Sequence, residues 1–224
     1  MPFNGNSADE TSDAEERDPS PDPSASANYG NSESSASETF VVSRELRLSL
    51  KWFDGLHPVM LEPDELLRQC SLRTQRRSGP GGQHRNKTSS GVFLTHQPTE
   101  TVAEATERRS QADNRAVALQ RLRLKLAVDI RTHSILDGVV NEIEHQLREK
   151  LIAGGMRLAD SNPKKAPLLA LLLNDLHACG GQPRQITNHW QTSSSSIIRL
   201  MRTHPPAWRI LQEIRQHHGL RPLA

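Results

Sequence analysis

Apolar residues recur along this chain with two periods, and the change between them marks its elements. Pro63-Asp64-Glu65 opens a short helix with Leu66 and Leu67 on its apolar face, ending near Cys70. Leu72–Arg77 alternates weakly, as a strand does, and Ser78–Gly82 belongs in the interior of neither element, so it reads as a loop. Gly91–His96 is β-rich and bounded by Gly91 and Pro98. Thr101–Ala105 is its expected hairpin partner across a Gln97–Glu100 turn. From Arg108 to about Ile130 there is no Gly or Pro. Leu119, Leu122, Leu126 and Ile130 repeat there at three- and four-residue steps, the mark of an amphipathic helix. A second helix is predicted over Ile135–Ile152, with Val139, Ile143, Leu147 and Leu151 on one face and Gly154-Gly155 as its stop.

After a short linker opened by Ser161-Asn162-Pro163, the last 60 or so residues read as a separate helical unit. Leu168–Cys179 is apolar and stops at Gly180-Gly181, and Pro183–Trp190 is a short helix candidate. Ser193 or Ser194 caps a helix carrying Ile197, Ile198, Leu200 and Met201, and Trp208, Ile210, Leu211 and Ile214 mark a last one. A short helix, a tight turn and a Ser-started helix suggest a helix-turn-helix. Three helices packed with no nucleic-acid role would give the same pattern. The expected fold class is α+β: a small sheet with a packed helix carrying a Gly-rich loop, then an all-helical C-terminal region. The divisions are 1–40 (a disordered acidic tail), 41–60 (a lead-in, with Trp52 and Phe53 docking on the body), 61–130, 131–160 and 161–224.

Composition and charge sharpen this picture. Hydrophobic residues make up only 34% of the 224, and residues 1–40 account for much of the shortfall, too polar to offset the entropy of ordering. Those 40 hold nine acids against Arg17, a net of −8, and the whole chain carries +2, which leaves +10 for residues 41–224. A basic body suits a polyanion such as RNA or DNA, and a well-solvated surface would read the same way. Cys70 and Cys179 lie far apart with no Cys or His at ligand spacing, so neither a metal site nor a disulfide framework is expected. No apolar run approaches a membrane span and no secretory leader is legible, so a cytoplasmic protein without membrane partners is expected, most simply a monomer.

The run Arg76-Arg77-Ser78-Gly79-Pro80-Gly81-Gly82-Gln83-His84-Arg85-Asn86-Lys87-Thr88 resembles the peptidyl-transferase-centre loop of class I peptide chain release factors and their shorter ribosome-rescue relatives. The resemblance continues through Leu94-Thr95-His96, Pro98-Thr99, Arg109-Ser110-Gln111 and Asn114, in order and spacing, over roughly 65 residues. It implies a hydrolase that frees a nascent peptide from its tRNA with no cofactor or metal. It also implies the large-subunit rRNA and peptidyl-tRNA as partners.

By that resemblance Gly81, Gly82 and Gln83 are catalytic. The main-chain N–H of Gln83 faces the developing or leaving oxygen, and its side chain, often N-methylated in the family, shapes the water pocket. Physical chemistry agrees: adjacent glycines lack Cβ and enter a crowded RNA cavity, and acyl hydrolysis needs a donor aimed at charge in the transition state. Arg76, Arg77, Arg85, Lys87, Arg108 and Arg109 are the expected phosphate contacts, which position without reading sequence. Ser78, Gly79, Pro80, His84 and Asn86 order the loop, and His96 is structural. Two positions depart from the family pattern: Arg85 replaces a small apolar residue, and Glu100 stands where a Gly commonly follows Pro-Thr.

Before residue 61 there is no Pro-x-Thr or Ser-Pro-Phe tripeptide of the kind that reads stop codons, so codon-independent release is expected. Two other readings remain open: a non-catalytic ribosome- or tRNA-binding protein, and a nucleic-acid-binding regulator acting through the C-terminal helices.

Overall fold

The computed structural model describes residues 39–75, 90–139, 141–159 and 161–224. The expected loop residues 76–89 and the tail up to 38 lie outside them. Two sheets form. Strands β2 (Cys70–Gln75), β3 (Gly91–His96) and β4 (Thr101–Ala105) make an antiparallel sheet in sequence order. The two-residue strands β1 (Lys51–Trp52) and β5 (Ile130–Arg131) pair in parallel. That pair anchors the lead-in, and the Phe53 N–H extends it by donating to the Arg131 carbonyl at 2.9 Å.

Register explains which face of the larger sheet is covered. Val92 lies opposite Ala105, Leu94 opposite Ala103 and His96 opposite Thr101, and all six are buried. Phe93 points to the other face, where the Arg73 guanidinium sits 4.9 Å from its ring centre. Helix α2 (Gln111–Asp129) lies over the buried face, starting at Ser110, whose hydroxyl accepts from the Asp113 N–H. Its inward line is Asn114, Ala118, Leu122 and Leu126, at four-residue steps. The short α1 (Pro63–Arg68) adds Leu66 to this core.

Gln97–Glu100 is the turn between β3 and β4, and Glu100 takes φ +56°. An L-residue pays about 1 kcal/mol or more in that left-handed region and glycine does not. A buried chain of hydrogen bonds holds the turn. Thr101 Oγ1 and Thr99 Oγ1 lie 2.9 Å apart, Thr99 Oγ1 lies 2.7 Å from His96 Nδ1, and His96 Nε2 lies 3.0 Å from Gln69 Oε1.

The predicted helix over Ile135–Ile152 is two elements. Ile135–Asp137 is a single 3-10 turn, closed by a capping box between Ser134 and Asp137 and ended by Gly138 at φ +73°. Helix α3 (Glu142–Ala153) then starts afresh, with the Asn141 side chain accepting from the Ile143 and Glu144 N–H groups. Its inward residues are therefore Arg148 and Leu151, while Val139 and Ile143 are exposed. The four-residue spacing runs across a backbone that Gly138, in the left-handed region, and the fresh cap at Asn141 interrupt.

Helix α4 (Lys165–Ala178) is buried over all fourteen residues, as befits a helix apolar on nearly every side. It packs on α2 and shares one hydrophobic cluster with the sheet, so the C-terminal helices do not stand apart from it. Glu38–Ala224 form one compact unit. The lead-in covers α4 as well: the Val42 N–H donates to the Ala178 carbonyl at 2.8 Å, and His177 Nε2 donates to the Leu48 carbonyl at 2.8 Å.

In place of the short helix expected over Pro183–Trp190 there is one 3-10 turn, Pro183–Ile186, followed by turns. Helix α5 (Ser194–Arg202), capped by Ser193, and helix α6 (Pro205–His217) complete the chain. Gly181, at φ +74°, passes so close to α6 that a Cβ there would meet Arg215 Cγ at 2.6 Å.

Most of the polar groups inside this core are paired, although Arg131 Nε is buried without a hydrogen-bond partner among the described residues. Asp175 lies in the middle of the α4 apolar run. It accepts from Arg148 Nη1 at 2.5 Å and Nη2 at 3.2 Å, Trp190 Nε1 at 2.7 Å and Ser134 Oγ at 2.7 Å. The Arg148 guanidinium also stacks 4.5 Å from the Trp190 ring. Beside it Asn174 accepts from Arg131 Nη1 and donates to Thr132 Oγ1. Arg131 gives its remaining Nη2 donors to the Ala127 and Val128 carbonyls, and burial lowers its pKa to about 9. The expected α+β class, with helices filling the C-terminal region, is what the chain adopts.

Candidate functional site

The segment that carries the sequence signature joins β2 to β3, and the structure describes its root. Gln75 and Gly91 are register partners, the last pair of that ladder. Space is tight at Gly91, where a Cβ would meet the Gln75 carbonyl at 3.0 Å and Thr106 Cγ2 at 3.2 Å. One residue earlier, the Ser90 carbonyl accepts from Asn114 Nδ2 at 2.6 Å. The same amide donates to the Arg108 carbonyl at 2.9 Å, and Asn114 Oδ1 accepts from the Arg108 N–H at 2.9 Å. Asn114 is fully buried. One side chain thus ties the re-entry of the 76–89 segment to the stretch between β4 and α2.

That stretch presents Arg108 and Arg109, both exposed. With Arg115 on the first turns of α2 they form a basic rim whose guanidinium groups have no partner among the described residues. The other bases of α2 are engaged. Arg121 donates to the Glu104 carbonyl and pairs with Glu107 at 2.7 Å, Lys125 Nζ donates to the Val102 carbonyl at 2.7 Å, and Arg123 Nη2 donates to the Val59 and Leu61 carbonyls. The Glu107 carboxylate is held below its ordinary range, first by the N–H groups of its own residue and of Thr106, then by Arg121.

Of the expected site residues, Arg108 and Arg109 are therefore brought together beside the loop root. Arg76, Arg77, Ser78, Gly79, Pro80, Gly81, Gly82, Gln83, His84, Arg85, Asn86 and Lys87 lie outside the described residues. His96 is buried in the turn network, and burial lowers its pKa, which suits a neutral ring that donates at one nitrogen and accepts at the other.

Asn114 entered the sequence reading only through the family pattern. Its positioning bonds could have been suspected from an Asn at the inward position of a helix's first turn. Among the described residues no cluster of three or more His, Cys, Asp or Glu is placed to hold a metal. Cys70 is half-buried, and burial pushes the Cys179 thiol up to about 12, the profile of a core residue and not of a nucleophile. No helix among the described residues is long and apolar enough to cross a membrane.

Residues 64–154 match the family described as RF-1 domain. They span α1, the antiparallel sheet, α2 and α3, including both strands that flank the signature and the Asn114 clamp. Those residues are thus similar to the RF-1 domain on both sides of the signature. Among curated proteins it is similar to peptide chain release factor 1 of Delftia acidovorans (strain DSM 14801 / SPH-1), 44% identical over 105 residues. That alignment covers 44% of this chain and 28% of the relative's own length.

Proposed function

We propose that this protein hydrolyses the ester between a nascent peptide and its tRNA in the peptidyl transferase centre of the ribosome, without reading a stop codon. The observation that carries the reading is the Gly81-Gly82-Gln83 run. It sits in sequence between the edge strand β2 and the central strand β3 of a region similar to the RF-1 domain, where Asn114 ties the loop root to an exposed arginine pair.

In this reading the ribosomal RNA positions the ester, and the protein adds few groups. The glycines let the backbone approach the tRNA end, and the Gln83 N–H stabilises the oxygen on which charge develops. The Gln83 side chain shapes the space for water. Arg108 and Arg109, with Arg76, Arg77, Arg85 and Lys87, engage phosphates of rRNA or of the tRNA acceptor end. Codon independence is supported by the sequence before residue 61, which has neither codon-reading tripeptide.

The test is peptide release from purified ribosomes stalled on mRNA lacking a stop codon. Gln83→Ala and Gly82→Ala each reduce release by on the order of a hundredfold or more, the usual scale for a lost transition-state donor. Wild-type release by both variants refutes the reading. Faster release when a stop codon fills the A site refutes its codon-independent part. The free arginine rim alone favours a second reading, a non-catalytic RNA-docking protein, which predicts strongly salt-dependent ribosome binding and no release.

A further inference from the structure

A second basic feature begins at Gly154, the last residue of the matched stretch, and continues beyond it. Residues 154–159 and α5 enclose an open groove of about 770 Å³. Arg157 and Arg199 line it with the hydroxyls of Thr192, Ser196 and Thr203. Both guanidinium groups are exposed, neither has a partner among the described residues, and no carboxylate among those residues lines the groove. One wall is the exposed Gly154-Gly155 backbone, which admits close approach, and Met156 and Leu158 give the groove an apolar floor.

The surroundings extend this character. Residues 161–224 hold eight Lys and Arg against two acids. Asp175 is buried with Arg148, and Glu213 pairs with Arg209 at 3.6 Å. Arg202, three residues beyond Arg199 and likewise exposed, lies over the Trp208 ring at 5.0 Å. An exposed guanidinium beside an indole offers a surface on which an unpaired base stacks.

We propose that this groove binds the sugar–phosphate backbone of single-stranded RNA. Arg157 and Arg199 engage successive phosphates, the Thr192 and Ser196 hydroxyls and the Gly154-Gly155 carbonyls hydrogen-bond the sugars, and the Arg202–Trp208 pair receives a base. A concave groove of this size takes a strand and not the convex side of a duplex. The choice of RNA among polyanions rests on the ribosomal reading above, while the groove itself lies outside the machinery of that reading.

The experiment measures binding of labelled oligo(U) to the full-length protein across a salt series, with no ribosome present. The double variant Arg157→Ala/Arg199→Ala weakens binding about tenfold or more. It also lowers the slope of log affinity against log salt by about 1.4, the share of two single-strand phosphates. Both side chains are exposed and unpaired, so the thermal midpoint of the variant stays that of the wild type. Arg68→Ala, on α1, changes oligo(U) affinity less than twofold.

Unchanged affinity and slope in the double variant overturn the proposal. So does an equal loss for oligo-glutamate, which would make the groove an acidic-peptide site, or a loss confined to duplex RNA. A wild-type protein that binds oligo(U) through these arginines yet releases no peptide leaves the groove standing and removes the hydrolase reading.

Discussion

Asn114 donates one side-chain N–H group to the Ser90 carbonyl at 2.6 Å and the other to the Arg108 carbonyl, so a helix residue ties one side of the loop root to the stretch that carries Arg108 and Arg109. Replacing it by Ala leaves the Ser90 carbonyl and both Arg108 backbone groups without this partner. Leaving a buried polar group unsatisfied costs about 1–3 kcal/mol. Asn114→Ala is expected to lower unfolding stability by that order in urea titrations. Asn114→Asp is expected to do worse, because it turns a carboxylate oxygen toward two carbonyls. A variant as stable as wild type would show that the clamp contributes nothing.

Glu100 holds φ +56° at a turn where its neighbours supply the hydrogen bonds. Glu100→Gly relieves that conformation and is expected to stabilise the protein by about 0.5–1 kcal/mol, less the greater freedom of glycine in the unfolded chain. The thermal midpoint reports it, and a lower midpoint would contradict the assignment of strain to this turn.

Asp175→Ala strips Arg148, Trp190 Nε1 and Ser134 of their shared acceptor in a fully buried setting. Removing one partner of a buried ion pair costs about 3–5 kcal/mol. Chemical denaturation of the variant is the measurement, and a loss below about 1 kcal/mol would mean that the cluster is not coupled as its geometry implies.

Acid weakens this fold through neutral histidines. Burial, with Arg131 adding to it, lowers the His57 pKa from 6.5 to about 3, while Nε2 donates to the Ile130 carbonyl and Nδ1 accepts from the Val59 N–H. Burial likewise lowers His177 to about 4. Below pH 6.5 the unfolded chain binds protons that the folded one does not, so their stabilisation is full above that pH. It declines as pH falls toward the folded values, by up to about 1.4 kcal/mol per pH unit for each ring. Urea midpoints measured from pH 7 down to pH 5 are expected to fall steadily. A flat profile over that range would show that these rings titrate normally.

The elements that a local pattern could reveal were legible, and those made by distant partners were not. The β3–β4 hairpin follows from alternation and the Pro98 turn, and α2 follows from its four-residue steps and the Ser110 cap. Strands β1 and β5 are two residues each, too short to alternate, and exist only because residues 51 and 130 meet. Asp175 hides in a leucine run, and its partner Arg148 lies on another helix. At the site, Arg109 was legible from the family pattern and Arg108 as a positive charge beside it. The pair's link to Ser90 required the fold to bring residue 114 beneath residue 90.

The α3 break gives a direct contrast. Ile143→Glu is expected to shift stability by less than about 0.5 kcal/mol, because Ile143 is exposed, whereas Leu151→Ala on the same helix costs about 2–5 kcal/mol. A large loss from Ile143→Glu in the same titration would restore the continuous helix that the spacing predicts.

The complete burial of α4 bears on how the protein is made. As the chain leaves the ribosome in sequence order, the sheet and α2 emerge before the helix that covers them. Until α4 arrives, the outer side of α2 is bare and its apolar residues are open to water or to a chaperone. A messenger truncated before the α4 codons would therefore yield a sticky fragment and not a smaller folded protein. Completion of the core shared by the sheet and α2 waits on synthesis of the C-terminal helices.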